Sequence, residues 1–171
     1  MNINIRHLTA ALLILSCGLL AVLVPGGPIE TRSFSQINPL ILTAFNIFLT
    51  GLVVISILLV YLMLKNITWA FVLSGLCGLS YSIVYILDLG KIFPTSPDSM
   101  PPALLTIEIL GAIVSVPLML VSLRGAIAID HPQAPTTVSQ ASWQNFSYIA
   151  VSLVILGIGI IIFATKSAIS N

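Results

Sequence analysis

The chain has 171 residues, 58% of them hydrophobic and 6% charged, and a formal net charge of +1. Soluble domains are about one quarter charged, so this chain cannot cover itself with a hydrated surface, and its near-neutral balance leaves no basic field for nucleic acid. The sequence contains no glycine-rich phosphate loop, no HExxH and no CxxC, so no catalytic set, metal site or cofactor is expected.

The first apolar run covers residues 8–24. A helix needs about 17–25 apolar residues to cross a bilayer, so this run is just long enough. Arg6 stands where a signal peptide has its basic start. No small-residue cleavage site follows, however, and Leu23-Val24-Pro25-Gly26 is a poor one, so an uncleaved anchor helix is expected. Cys17 lies mid-run, as Cys77 does in the third run. A thiol in such a place behaves as a small apolar group, and no disulfide is expected. Ile14-Leu15-Ser16-Cys17 has the look of a lipoprotein box, but the apolar run continues past Cys17, which favours plain span.

Pro25-Gly26-Gly27-Pro28 stops this helix, and Asn38-Pro39 starts the next. Asn can cap the free amides of a first turn, and proline suits the first helical position. The second run, 39–64, carries Thr43, Asn46 and Thr50 on one face. Only a few residues around Lys65 and Thr68 separate it from the third, 69–87, so the two form an antiparallel hairpin. The third has Ala70, Ser74, Gly78 and Ser82 at intervals of four, hence on one stripe. Small residues let helix backbones approach closely in lipid. The stripe therefore reads as a packing face, against a neighbouring helix of the same chain rather than against a partner. Tyr81 and Tyr85 lie near the far end of this run.

Pro94, Pro97 and Pro101 stiffen the loop that follows. Pro101-Pro102 opens the fourth run, 102–123, which holds Glu108, then Gly111 and Ser115 on the same side. An ionised carboxylate in the bilayer costs at least about 2.5–3.5 kcal/mol. Glu108 must face protein, face water or hold a proton. Pro117 should kink this helix and free the carbonyl of Ile113. Arg124 closes it. Residues 125–146 are polar and read as a mobile linker before the fifth run, 147–165. Trp69 and Trp143 flank spans as interfacial anchors do.

The fold expected is thus all-α: a polytopic membrane bundle of five transmembrane helices, or four if the first or last run does not span. The whole chain forms one integral membrane domain. Basic residues tie between the two sides, and Arg6 beside the first span decides for a cytoplasmic N-terminus and an external C-terminus. A prokaryotic plasma or internal membrane is the expected host.

Antiparallel order puts Asn46, Tyr81, Tyr85 and Glu108 at one depth, beneath loops that carry Glu30, Arg32, Asp88 and Lys91. These four are the candidate polar cluster. In one reading they are a structural network, with Glu108 protonated and bonded to Asn46 or a tyrosine. In the other they form a pocket in which Glu108 carries a proton or binds a cation. An enzyme would need Ser80 or Ser82 beside Glu108, with no histidine to help. The leading expectation is a non-enzymatic protein working through helix contacts, as an accessory subunit, assembly factor or protective partner of a membrane complex. Its partners are then lipid and another membrane protein or a second copy, with no nucleic acid. The alternative is a small-ligand or ion carrier that uses Glu108.

Overall fold

The computed structural model describes residues 4–65, 67–128 and 140–170. They form five α-helices: α1 (Ile5–Ala21), α2 (Pro39–Leu64), α3 (Ala70–Leu89), α4 (Pro102–Ala128) and α5 (Gln140–Ser170). The last four include segments long and apolar enough to cross a membrane; α1, at 17 residues, is shorter. At about 1.5 Å per residue it measures roughly 26 Å, against about 30 Å for a hydrocarbon core. The architecture is a helical bundle compatible with a membrane.

Local chemistry explains the helix starts. Asn4 caps α1 by accepting from the Arg6 amide at 3.1 Å. Asn38 caps α2 through the Leu40 amide at 2.9 Å, with Pro39 in the first turn. Helix ends are less well marked by sequence. The apolar stretch measures what lipid or protein covers, whereas the backbone ladder continues until something competes for it. So α4 runs on to Ala128, and Arg124 lies inside the helix instead of closing it. It also passes through Pro117 without interruption. In the same way α5 starts at Gln140, seven positions before the apolar run, and α3 carries Asp88 on its last turn. The segment read as a linker is correspondingly shorter, and its residues 129–139 lie outside the described residues, as does the side chain of Trp143.

The helices alternate in direction. The loops 22–38 and 90–101 meet at one end of the bundle, here called the roofed end. Ser33 N donates to Asp98 Oδ2 at 2.7 Å, Ser96 Oγ to Ser33 O at 2.8 Å, and Gln36 Nε2 to Thr95 O. The C-terminal part of α5 reaches the same end, where the Phe34 amide donates to Ala168 O at 3.2 Å. Gly26, with φ of +82°, lies so close to Ser167 that a side chain could not be accommodated.

Helix α3 packs most extensively on α4, and α1 lies against α2, α3 and α4. Among the described residues α5 packs on one helix only, α2. The stripe of Ala70, Ser74, Gly78 and Ser82 borders α4. Ala70 and Ser74 are fully buried, a Cβ on Gly78 would meet the Met119 backbone, and Ser82 Oγ donates to Ser115 Oγ at 2.8 Å. Phe71 fills the space over Gly125, and Tyr85 the space over Gly111. Large residues of α3 thus face glycines of α4, and one antiparallel register runs the length of the pair.

Candidate functional site

That register ends at the roofed end with Asp88 of α3 and Glu108 of α4. Glu108 is completely buried. Two of its three expected partners, Asn46 and Tyr81, are engaged elsewhere. Asn46, also buried, donates from Nδ2 to Thr165 Oγ1 on α5 at 3.1 Å. Tyr81 Oη donates to Ser56 Oγ at 3.1 Å and lies 3.5 Å from Cys17 Sγ, forming a second polar group one helical turn deeper. Tyr85, 1% exposed, has no hydrogen-bond partner for its hydroxyl among the described residues, and neither Glu108 oxygen has one. Cys17 and Cys77 are both buried free thiols.

What Glu108 does have is a cation. Arg32, in the loop after α1, turns inward and is 5% exposed. Its Nη2 is 2.6 Å from Glu30 Oε2, 2.9 Å from Asp88 Oδ2 and 3.7 Å from Glu108 Oε1. Nε also donates to Glu30 Oε1 and Nη1 to Asp88 Oδ1, both at 2.9 Å, so two carboxylates grip the guanidinium in bidentate fashion. Burial alone would weaken the Arg32 charge, but the hydrogen bonds to Glu30 and Asp88 outweigh it and hold the pKa above the ordinary arginine value. The Arg32 ring contact completes the enclosure, with the guanidinium carbon 5.3 Å from the Phe34 ring centre.

The three carboxyl groups, but not Arg32, line a cavity of about 40 Å³ together with Tyr85 and Asn46, and apolar residues of α1, α2, α3 and the loops complete its wall. A water needs roughly 10–15 Å³ by this measure, so the space suits a water or two, or one small ligand group. Of the four residues expected to cluster, Asn46, Tyr85 and Glu108 line the cavity, and Tyr81 does not.

Sequence reasoning placed Glu30, Arg32 and Asp88 in the roof and Glu108 beneath it. It did not find that they form one buried ionic group. The available signal was scarcity. The chain has five acidic residues, and three of them flank the ends of spans that must meet. Charges so placed are costly unless paired, and Arg32 is within reach of all three.

Fold and site together define a small polytopic helical membrane protein with a buried, acid-rich pocket at one end of the bundle. Residues 5–142 match the family model described as Domain of unknown function (DUF8051), and the chain belongs to that family. No curated protein and no solved structure matches it. The family match spans α1 to α4 and the opening turn of α5, and it includes every residue that lines the acidic cavity.

Proposed function

We propose that the protein is a non-enzymatic membrane protein that takes a positively charged group into the acidic pocket, as a small-ligand or ion carrier or a carrier component. The observation that carries this reading is charge imbalance. One guanidinium faces three carboxyl groups, so full ionisation would leave two negative charges uncompensated. An unpaired buried charge costs several kcal/mol, and a proton or bound cation removes that cost. The Tyr85 hydroxyl and the Glu108 oxygens, which have no hydrogen-bond partner among the described residues, supply ligand atoms around the cavity. A binding role is also favoured over a catalytic one by the serines. Ser82 is hydrogen-bonded to Gly78 O and Ser115 Oγ, and Ser80 borders a separate groove between α2 and α3.

The test compares wild type with Glu108→Gln, which keeps side-chain volume and hydrogen-bonding capacity while losing the charge. Both are titrated with sodium and with ammonium ions of increasing alkyl length, and thermal unfolding is followed. A ligand present at about 100 times its Kd stabilises by roughly 2.7 kcal/mol. At least one cation should raise the unfolding temperature of wild type and leave Glu108→Gln unmoved. If none does, the reading is wrong.

The accessory-subunit reading has its own support. Among the described residues helix α5 packs on no helix but α2, and it presents Ile155, Leu156, Ile158, Ile162 and Phe163 outward. Its test is extraction in a mild detergent followed by mass measurement of chains that co-purify.

A further inference from the structure

A second cavity adjoins the acidic one. It is an apolar groove between the C-terminal part of α1, α2 and α5. Leu20, Leu23, Pro25, Asn46 and Leu49 line both, so the two lie side by side with these side chains as their common wall. From Asn46 the groove follows α2 to Ile57, a distance of about 16 Å at 1.5 Å per residue. Its walls on α5 run from Leu153 to Ala164 and are made of aliphatic side chains with Gly157 among them. One of the two adjoining spaces is therefore small and lined by three carboxyl groups. The other is apolar, elongated and bounded by helices long and apolar enough to face lipid.

We propose that the two cavities together form a binding site for a cationic amphiphile, a molecule with one ammonium head and one linear hydrocarbon tail. This rests on the proposed function and names its ligand class. The head enters the cavity beside Glu108, Asp88 and Tyr85, and the tail lies in the groove along α2 and α5. Complementarity argues for this occupant over others. Three carboxyl groups line the head cavity, so an anionic or phosphate-bearing head meets repulsion. The cavity of about 40 Å³ admits a single ammonium and excludes a sugar. The groove offers almost no polar surface to a peptide or a polar ligand, and it matches a tail delivered sideways from the membrane. The buried Tyr85 hydroxyl, which has no hydrogen-bond partner among the described residues, is positioned to accept from the ammonium.

The experiment uses the full chain in nanodiscs of neutral lipid, with radiolabelled dodecylamine as the probe and empty nanodiscs to subtract partitioning. Three variants are compared: wild type, Glu108→Gln and Ala21→Phe. Ala21 lines the groove and is exposed, so a phenyl ring there fills the tail space without entering the packed core. Saturable binding is expected in wild type. Glu108→Gln removes a carboxyl charge facing the ammonium and should weaken binding by roughly tenfold or more. Ala21→Phe should weaken it as well, while unfolding at the wild-type temperature. Methylammonium should compete poorly, and dodecanol, which has the tail without the charge, should not compete. Methylammonium binding as well as dodecylamine, with Ala21→Phe without effect, would overturn the amphiphile and leave the small-cation pocket standing. Failure of every cation to bind would remove both.

Discussion

At the scale of single residues, the molecule turns on Arg32. It is the only basic side chain that the described residues bring into ion-pair distance of Glu108, and it holds Glu30 and Asp88 at the same time. Removing one partner of a buried pair typically costs about 3–5 kcal/mol, because the other charge is left stranded. Arg32→Ala should therefore destabilise the bundle by an amount of that order, measured by thermal or chemical unfolding in detergent. Arg32→Lys should recover only part, since an ammonium cannot reproduce the two bidentate contacts. Replacing the group as a unit, with Arg32→Met, Glu30→Gln, Asp88→Asn and Glu108→Gln together, should restore most of the stability, because neutral side chains no longer strand a charge. A quadruple variant less stable than Arg32→Ala would show that the ion pairs themselves hold the loop down. Glu108 was visible in the sequence as a lone acid in an apolar run. Arg32 was not, because its loop position gives a depth but says nothing of lateral approach. Only the fold shows that residues 22–38 turn back over α3 and α4.

At the scale of elements, the α3–α4 pair is where sequence and structure meet most closely. A period of four in Ala70, Ser74, Gly78 and Ser82 was readable because it is a property of one helix, and it does border α4. The other half of the match was less readable. Gly111 and Gly125 of α4 gain their meaning from Tyr85 and Phe71 of α3, and pairing them requires the register between two helices. A methyl group added at Gly111 would overlap the Tyr85 ring, and one at Gly125 the Phe71 ring. Overpacking a dense contact costs roughly 1–3 kcal/mol. Gly111→Ala and Gly125→Ala should therefore lower stability, and Gly111→Ala should also disturb ligand-dependent stabilisation, because Tyr85 lines the acidic cavity. Gly18→Ala and Gly159→Ala are the controls. A Cβ at either site would meet nothing within 4 Å, and alanine is favoured over glycine in a helix by up to about 1 kcal/mol. Both controls should therefore hold or raise the unfolding temperature, and an equal fall in all four variants would remove overpacking at Tyr85 and Phe71 as the cause. Helix ends were the least readable feature. Arg124 and Gln140 both lie within helices because hydropathy reports surroundings, whereas the end of a hydrogen-bond ladder depends on local capping.

At the scale of the whole molecule, the alternation of helices fixes which ends share a side. The roofed end gathers the end of α1, the start of α2, the end of α3, the start of α4 and the end of α5, tied by contacts among Ser33, Asp98, Ser96, Phe34 and Ala168. The first residue of α1 and the last of α5 consequently lie at opposite ends of the bundle. The family match stops at residue 142, so the reversal supplied by α5 comes from a helix that lies almost wholly beyond the matched region and, among the described residues, packs on no helix but α2. Helix α1 is the shortest of the five. Its packing against α2, α3 and α4 nevertheless holds it inside the bundle. A helix packed along one face against three spans is expected to cross with them, and its missing length is made up by the turn at 22–24 and by local thinning of the bilayer at modest cost. Reporter fusions after Asn38, Lys65, Met100, Pro135 and Asn171 should then alternate in side, with the fusions after Asn38, Met100 and Asn171 together on the external face if Arg6 sets the orientation. Fusions after Asn38 and Asn171 on opposite faces would mean that one of the helices between them does not cross. A consistent alternation with the sides exchanged would keep the bundle and reverse only the membrane orientation, placing the acidic pocket toward the cytoplasm.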